Sequence, residues 1–164
     1  MDRLWAPWRI EYILSEKKGE CIFCVKPSRS GDRKRLILYR SQWSTIMMNR
    51  FPYTSGHLMV APMKHTSNLD DLTPEELTDL FLVLRKAVSL LRRAIAPEGF
   101  NIGMNIGQIA GAGIADHLHF HVVPRWSGDT NFMPVLSGTT VVPESLDKTF
   151  GKLLSVLKEM DREK

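Results

Sequence analysis

Residues 116–126 read DHLHFHVVPRW, and three of the chain's five histidines lie there. His117, His119 and His121 alternate with Leu118, Phe120 and Val122. A strand sends successive side chains to opposite faces, so one face would carry three imidazoles and the other would be apolar. A helix would scatter the same histidines around its surface. Pro124 has no N–H and is expected to end the pairing just after them. Three chemistries compete for this pattern. The histidines could hold a catalytic zinc, they could form a polar face without chemistry, or one could be a nucleophile while its neighbours hold an anionic substrate. The run just upstream, NIGQIAGAGI at 105–114, favours the last. Small residues let backbone approach a ligand closely, and successive N–H groups can cradle an anion such as phosphate.

A second group of reactive side chains is Cys21-Ile22-Phe23-Cys24. Two thiolates at this spacing supply half of a tetrahedral zinc site or a redox pair. No βαβ pattern surrounds them, which argues against a thioredoxin-like role. His65, in PMKHTSNL, follows an apolar strand and leads into a loop.

The elements that must position these groups follow from periodicity and punctuation. Strands are expected over 35–40 and 43–49, forming a hairpin turned at Ser41 and Gln42, with a third over 57–62. Thr73-Pro74-Glu75-Glu76 is a helix start with a capping box, and Pro97-Glu98-Gly99 is its stop. Between them Leu77, Leu80, Phe81, Leu84, Val88, Leu91 and Ile95 recur at helical spacing and read as core. Arg85, Lys86, Arg92 and Arg93 read as a solvated face. Further strands are expected over 100–106 and 117–123, and an amphipathic helix over 143–158. Residues 25–34 read as a mobile loop. Residues 1–20 carry Trp5, Trp8 and Tyr12, with Pro7 opening a short helix to about Ser15. Residues 132–142 read as an extended segment with one short strand. This gives an N-terminal arm over 1–20, a main domain over 21–142, and a C-terminal helix over 143–164 packed on the same domain.

HLHFHVV fits the pattern His-φ-His-φ-His-φ-φ, with φ apolar. Together with the glycine-rich run before it, it resembles the histidine triad (HIT) family of nucleotide hydrolases and transferases, over about residues 21–126. LWAPWRIEYI near the start and PRWSGDTNF after the triad are similar to the branch that includes bacterial diadenosine tetraphosphate phosphorylases. The resemblance implies an α+β fold: an antiparallel sheet of five or more strands with one long helix packed on it, in a protein that is usually a homodimer. It implies His119 as the nucleophile that becomes transiently nucleotidylated, with His121 and His57 stabilising phosphate oxygens or passing protons. It also implies a structural zinc held by Cys21, Cys24, His65 and His117. Asn49, eight residues before His57, matches the family's ribose ligand, and an amide with a donor and an acceptor suits a sugar diol. Asn105, Gly111, Ala112 and Gly113 fall where the family meets substrate phosphates, and Trp126 falls near the nucleotide. Many members carry glutamine or serine where Ala112 and Gly113 stand, and the similar phosphorylases have serine at the position of Gly113. The choice between water and phosphate as acceptor is therefore open. Mg²⁺ is expected only as a companion of the polyphosphate.

A chain of 164 residues is about one domain. Its net charge of +4 and pI near 9.2 suit an anionic small-molecule partner; interspersed acidic residues give no reason to expect nucleic acid. No apolar run approaches the ~20 residues of a membrane span, and MDRLWAPWRI lacks the apolar core of a signal peptide. Paired cysteines in a chain without an export signal read as reduced, hence a cytoplasmic protein. The leading function is cleavage of dinucleoside polyphosphates by hydrolysis or phosphorolysis. Its alternatives are a HINT-like nucleoside phosphoramidate hydrolase, a nucleotide-binding regulatory module, and a tri-histidine zinc hydrolase.

Overall fold

A computed structural model describes residues 21–26, 28–129 and 144–163. The expected aromatic arm and the segment over 132–142 lie outside the described residues. The described elements are β1 (Ile37–Arg40), β2 (Ser44–Met48), β3 (Leu58–Pro62), a 3₁₀ turn (Leu69–Asp71), α1 (Pro74–Ile95), β4 (Gly99–Met104), β5 (Phe120–Arg125) and α2 (Leu146–Arg162). The strands form one antiparallel sheet in the order β1-β2-β3-β5-β4.

Alternation along the strands divides the apolar side chains between two faces. Ile46, Met48, Leu58, Val60, Leu118 and Val122 join the main core with α1 and α2. Ile37, Met47, Met59 and Ala61 point the other way and pack with Phe23. One face of the sheet therefore carries the helices. The other is covered by the turn that holds the two cysteines, and it is the face the imidazoles share.

Helix α1 begins as its sequence requires. The Thr73 hydroxyl accepts from the Glu76 N–H, the Glu76 carboxylate accepts from the Thr73 N–H, and Pro74 takes the first helical position. The helix ends at Ala96, whose backbone is left-handed (φ 45°). Two expectations for this helix are corrected. Phe81 is 58% exposed, with its ring edge-on to Phe120 at 5.7 Å. Lys86 is not simply solvated: its Nζ donates to Asp161 of α2 (2.5 Å) and sits 4.5 Å from the Tyr39 ring centroid. The second helix starts three residues later than expected and runs on to Arg162, because Ser145 is its N-cap. Phe150, Leu153 and Leu157 then join the main core.

Two further differences concern the site. The ladder of β5 begins at Phe120, so His117 and His119 precede it. The pairing also runs through Pro124 to Arg125 rather than stopping. The alternation survives because Leu118 and Val122 are still buried in the main core and Phe120 packs against it. Pro124 is tolerated because β3 pairs only as far as Val122. The Pro124 carbonyl, on the strand edge where its missing N–H would point, accepts instead from Thr54 Oγ1 (2.9 Å). The loop expected to be mobile before β1 is anchored: Arg40 bonds the Lys26 carbonyl (2.5 Å) and pairs with Asp32.

Gly56 fixes the approach to His57. Its φ is +82°, and a Cβ there would lie 2.6 Å from Ile95 Cδ1 and 3.3 Å from Leu91 Cδ2. A left-handed residue with a side chain costs about 1–2 kcal/mol before any clash. Gly56→Ala should therefore lower the unfolding free energy by at least that amount in denaturant titrations; an unchanged midpoint would refute the constraint.

Candidate functional site

Backbone groups set the proton positions of the triad. A carbonyl only accepts, so His119 Nδ1–H donates to the His117 carbonyl (2.9 Å). The lone pair of His119 is then on Nε2. The same logic runs through His57. Its Nδ1 receives the Tyr53 backbone N–H (3.2 Å), so its proton is on Nε2. That Nε2 lies 2.9 Å from His121 Nδ1, which must accept. The neutral His121 ring then carries its proton on Nε2. One face of the sheet thus presents an unprotonated nitrogen from His119 and a donor nitrogen from His121, with ring centroids 4.9 Å apart.

Burial favours the neutral form of His57 and His119. It pushes the His119 pKa below its ordinary value, partly opposed by the bond to the His117 carbonyl. His57, fully buried, is pushed down to about 3 by burial first, and then by the charges His121 and His119 would carry.

A cavity of about 250 Å³ opens over His119 and His121. Met47, Met48, Met59, Leu36 and Ile114 give it apolar walls, while Asn49, Arg35, Arg50 and Tyr53 add polar groups. Apolar walls with a few polar groups are the usual balance of a small-molecule site. Asn49 lies just past β2 and donates its N–H to the His57 carbonyl (2.9 Å). Its side-chain oxygen accepts from the Phe51 N–H (2.9 Å), which holds the amide at the rim. Gly111 and Gly113 line the cavity, whereas Asn105, Ala112 and Trp126 are not part of its lining. Asn105 Nδ2 donates to the Gly111 carbonyl (3.3 Å) and braces the loop. The N–H groups of Gly111 and Ala112 bond the Gln108 and Gly107 carbonyls. These two donors, expected to meet phosphate, are instead turned into the loop. Trp126 follows β5 and gives its N–H to Asp129 Oδ2 (3.2 Å).

The second cluster is Cys21, Cys24, His65 and His117, whose ligand atoms all lie within 4.8 Å of one another. His117 Nε2–H donates to the Pro62 carbonyl (2.8 Å), leaving the Nδ1 lone pair facing the cysteines. That Nδ1 is 3.5 Å from Cys21 Sγ, 3.8 Å from Cys24 Sγ and 3.2 Å from His65 Nδ1. A single lone pair cannot satisfy three neighbours by hydrogen bonding. A tetrahedral zinc ion would give N···N and S···N edges of roughly 3.3 and 3.6 Å, and the cluster matches both. The residues therefore fit a four-coordinate ion. No aspartate or glutamate lines the cavity among the described residues.

The family model for the HIT domain matches residues 30–128. The chain belongs to the histidine triad family. Among relatives of this HIT protein, an AP-4-A phosphorylase of Mycobacterium tuberculosis is 36% identical over 157 residues, covering 91% of this chain and 80% of the relative. An asymmetrical bis(5'-nucleosyl)-tetraphosphatase of Schizosaccharomyces pombe is 34% identical over 120 residues, 73% of this chain and 62% of that relative. A zinc-bound histidine triad protein from Mycobacterium smegmatis superposes with a TM-score of 0.64 at 25% identity, covering 79% of this chain and 88% of that one. Among the described residues of this HIT chain, no helix is long and apolar enough to cross a membrane.

Several residues at the site were missed by sequence reasoning. Phe23 and Ile22 line the cavity from within the cysteine turn; their position between the two cysteines was the available signal. Arg35 ties that turn in place, donating from Nη2 to the Ile22 and Cys24 carbonyls (2.8 Å each). Tyr53 packs its ring on His57 at 4.6 Å, and nothing in the motif pattern pointed to it.

The neutral state of His57 has a consequence for stability. The unfolded chain binds a proton there below about pH 6.5, while the folded chain does not until about pH 3. Stability is therefore full above pH 6.5 and declines as pH falls toward 3. Unfolding free energies measured between pH 6.5 and 5 should fall by up to about 1.4 kcal/mol per pH unit from this one group. His57→Gln should show a shallower slope, and identical slopes would remove His57 as the cause.

Proposed function

We propose that this HIT protein cleaves dinucleoside polyphosphates, diadenosine tetraphosphate among them, at the α-phosphate through a nucleotidyl-His119 intermediate. The observation that carries this reading is the bond from His119 Nδ1–H to the His117 carbonyl, with the same ring lining the cavity. It aims an unprotonated Nε2 at whatever phosphorus the cavity presents. It also stabilises the imidazolium that forms on attack. The names of the mycobacterial and fission-yeast relatives support the substrate class.

The Nε2–phosphorus bond forms as the bond from the α-phosphorus to the bridging oxygen breaks. His121 Nε2–H faces the oxygens that gain charge, and His57 holds His121 in that tautomer. Water or inorganic phosphate then displaces His119 from phosphorus. Asn49 meets the ribose and Gly113 the phosphates in this reading. Asn105 holds the loop, and Gly111 and Ala112 shape it. Trp126 stands beyond the cavity lining, and contact with the far nucleoside is the role left for it.

Cys21, Cys24, His65 and His117 hold zinc in the same reading. All four positions are filled by protein, so the ion is structural and has no open site for water. The solvent-facing edge of β4, with Ile102 exposed on that strand, supports a homodimer. A cytoplasmic location rests on the paired thiols alone.

Three experiments test these points. Incubated with diadenosine tetraphosphate, the protein should yield AMP and ATP from water, and ADP with ATP when inorganic phosphate is the acceptor. Two ADP without ATP would mean cleavage at the centre and would refute α-attack. His119→Ala should lose turnover by about 10⁴-fold or more while keeping its thermal transition; near-normal rates would refute the nucleophile. Metal analysis should find about one zinc per chain, as four protein ligands for one ion require, and chelation should lower thermal stability. Protein that is folded and metal-free would sink the zinc assignment.

A further inference from the structure

Phe23 lies inside the cysteine turn, yet its ring is fully buried, with 0% exposure. Its neighbour Ile22 is 43% exposed and offers the cavity a real surface. The Phe23 face is committed elsewhere. It stacks on the His119 imidazole with centroids 4.5 Å apart and planes inclined by 25°. The His117 ring lies 5.3 Å away at a tilt.

Two constraints are needed to hold an imidazole in one orientation. The bond from His119 Nδ1 to the His117 carbonyl fixes one ring atom. It leaves the ring plane able to turn about that contact. A flat partner against one face removes this motion. His119 also meets the His121 ring at 71°, an edge contact that does not define the plane. Phe23 is the flat partner. It is held in turn by the Cys24 N–H to Cys21 carbonyl turn (3.1 Å) and by packing with Ile37, Met47, Met59 and Ala61.

We propose that Phe23 is a positioning residue for nucleotidyl transfer: its ring sets the plane of His119, so that Nε2 points along the line of attack on the α-phosphorus. Phe23 touches no reacting atom, and although it borders the cavity, at 0% exposure it offers the nucleotide almost no surface. On the nucleotidyl-His119 reading above, it acts through His119 alone. Its removal therefore costs rate rather than binding. A reacting nitrogen displaced by a fraction of its bond length loses the in-line geometry that makes the attack effectively unimolecular.

The test compares Phe23→Leu, which keeps apolar bulk, with Phe23→Tyr, which keeps a flat ring. In single-turnover reactions at saturating diadenosine tetraphosphate, Phe23→Leu should form the nucleotidyl-histidine about 10- to 100-fold more slowly than wild type. AMP, titrated as the binding probe, should bind almost as well as before, and Phe23→Tyr should recover most of the rate. In NMR spectra the carbon-bound ring protons of His119 should lie upfield in the wild type, under the Phe23 ring current, and move downfield in Phe23→Leu. An unchanged rate in Phe23→Leu, or an AMP affinity that falls as far as the rate, would overturn the proposal. Should Phe23→Leu not fold, Phe23→Met replaces it, and the wild type still decides: no ring-to-ring nuclear Overhauser effect between Phe23 and His119 refutes the stack. Absence of any adduct in the wild type would remove the nucleotidyl-histidine reading itself. An adduct in the wild type with normal rates in both variants would remove only the role of Phe23.

Discussion

The structure depends on backbone carbonyls and N–H groups deciding which nitrogen of each imidazole bears a proton. Three such contacts do most of it: the Pro62 carbonyl for His117, the His117 carbonyl for His119, and the Tyr53 N–H for His57. A side chain as partner would leave each tautomer open to exchange. A main-chain group cannot change roles, so the assignments are fixed by the fold. The lone pair that faces the cysteines and the lone pair on His119 Nε2 follow from neighbouring links of one chain. His117 offers Nδ1 to the cysteine cluster and its carbonyl to His119.

Burial reinforces that arrangement. Charged imidazoles this close would repel one another, and burial already disfavours the charged form of His57 and His119. Neutral rings pass direction along the row, from His57 through His121, as donors and acceptors. The geometry is demanding on the elements beneath it. Gly56 turns where a side chain would strike α1, and Asn49 closes the ladder against His57.

Much of this was legible in the residues, for reasons that differ from place to place. The alternation over 117–122 reports face, not hydrogen bonding, so it held even though the β5 ladder begins only at Phe120. The start of α1 is written in Thr73, Pro74 and Glu76, whose interactions are local. Pro124 misled because its missing N–H matters only if a neighbouring strand needs it, and β3 has already ended there. Phe81 and Lys86 misled because a helical stripe does not say how wide its covering layer is. Lys86 found its partner on α2, 75 positions along the chain. Gly111 and Ala112 were read as donors to a ligand. A glycine-rich run leaves its own turns invisible in sequence, and those turns use the same N–H groups. Phe23 was hidden for another reason: a ring between two cysteines looks like filler until its stacking partner is known.

The two-sided sheet divides the protein's labour. Nearly all the helix packing lies behind one face, while the opposite face is roofed by a small group around Phe23. Changes to the roof can thus retune what enters the cavity, or how the imidazoles sit, while the scaffold behind stays put. Such an architecture is a chassis with an exchangeable instrument panel: new substrate preferences can be explored on one side at little risk to folding on the other.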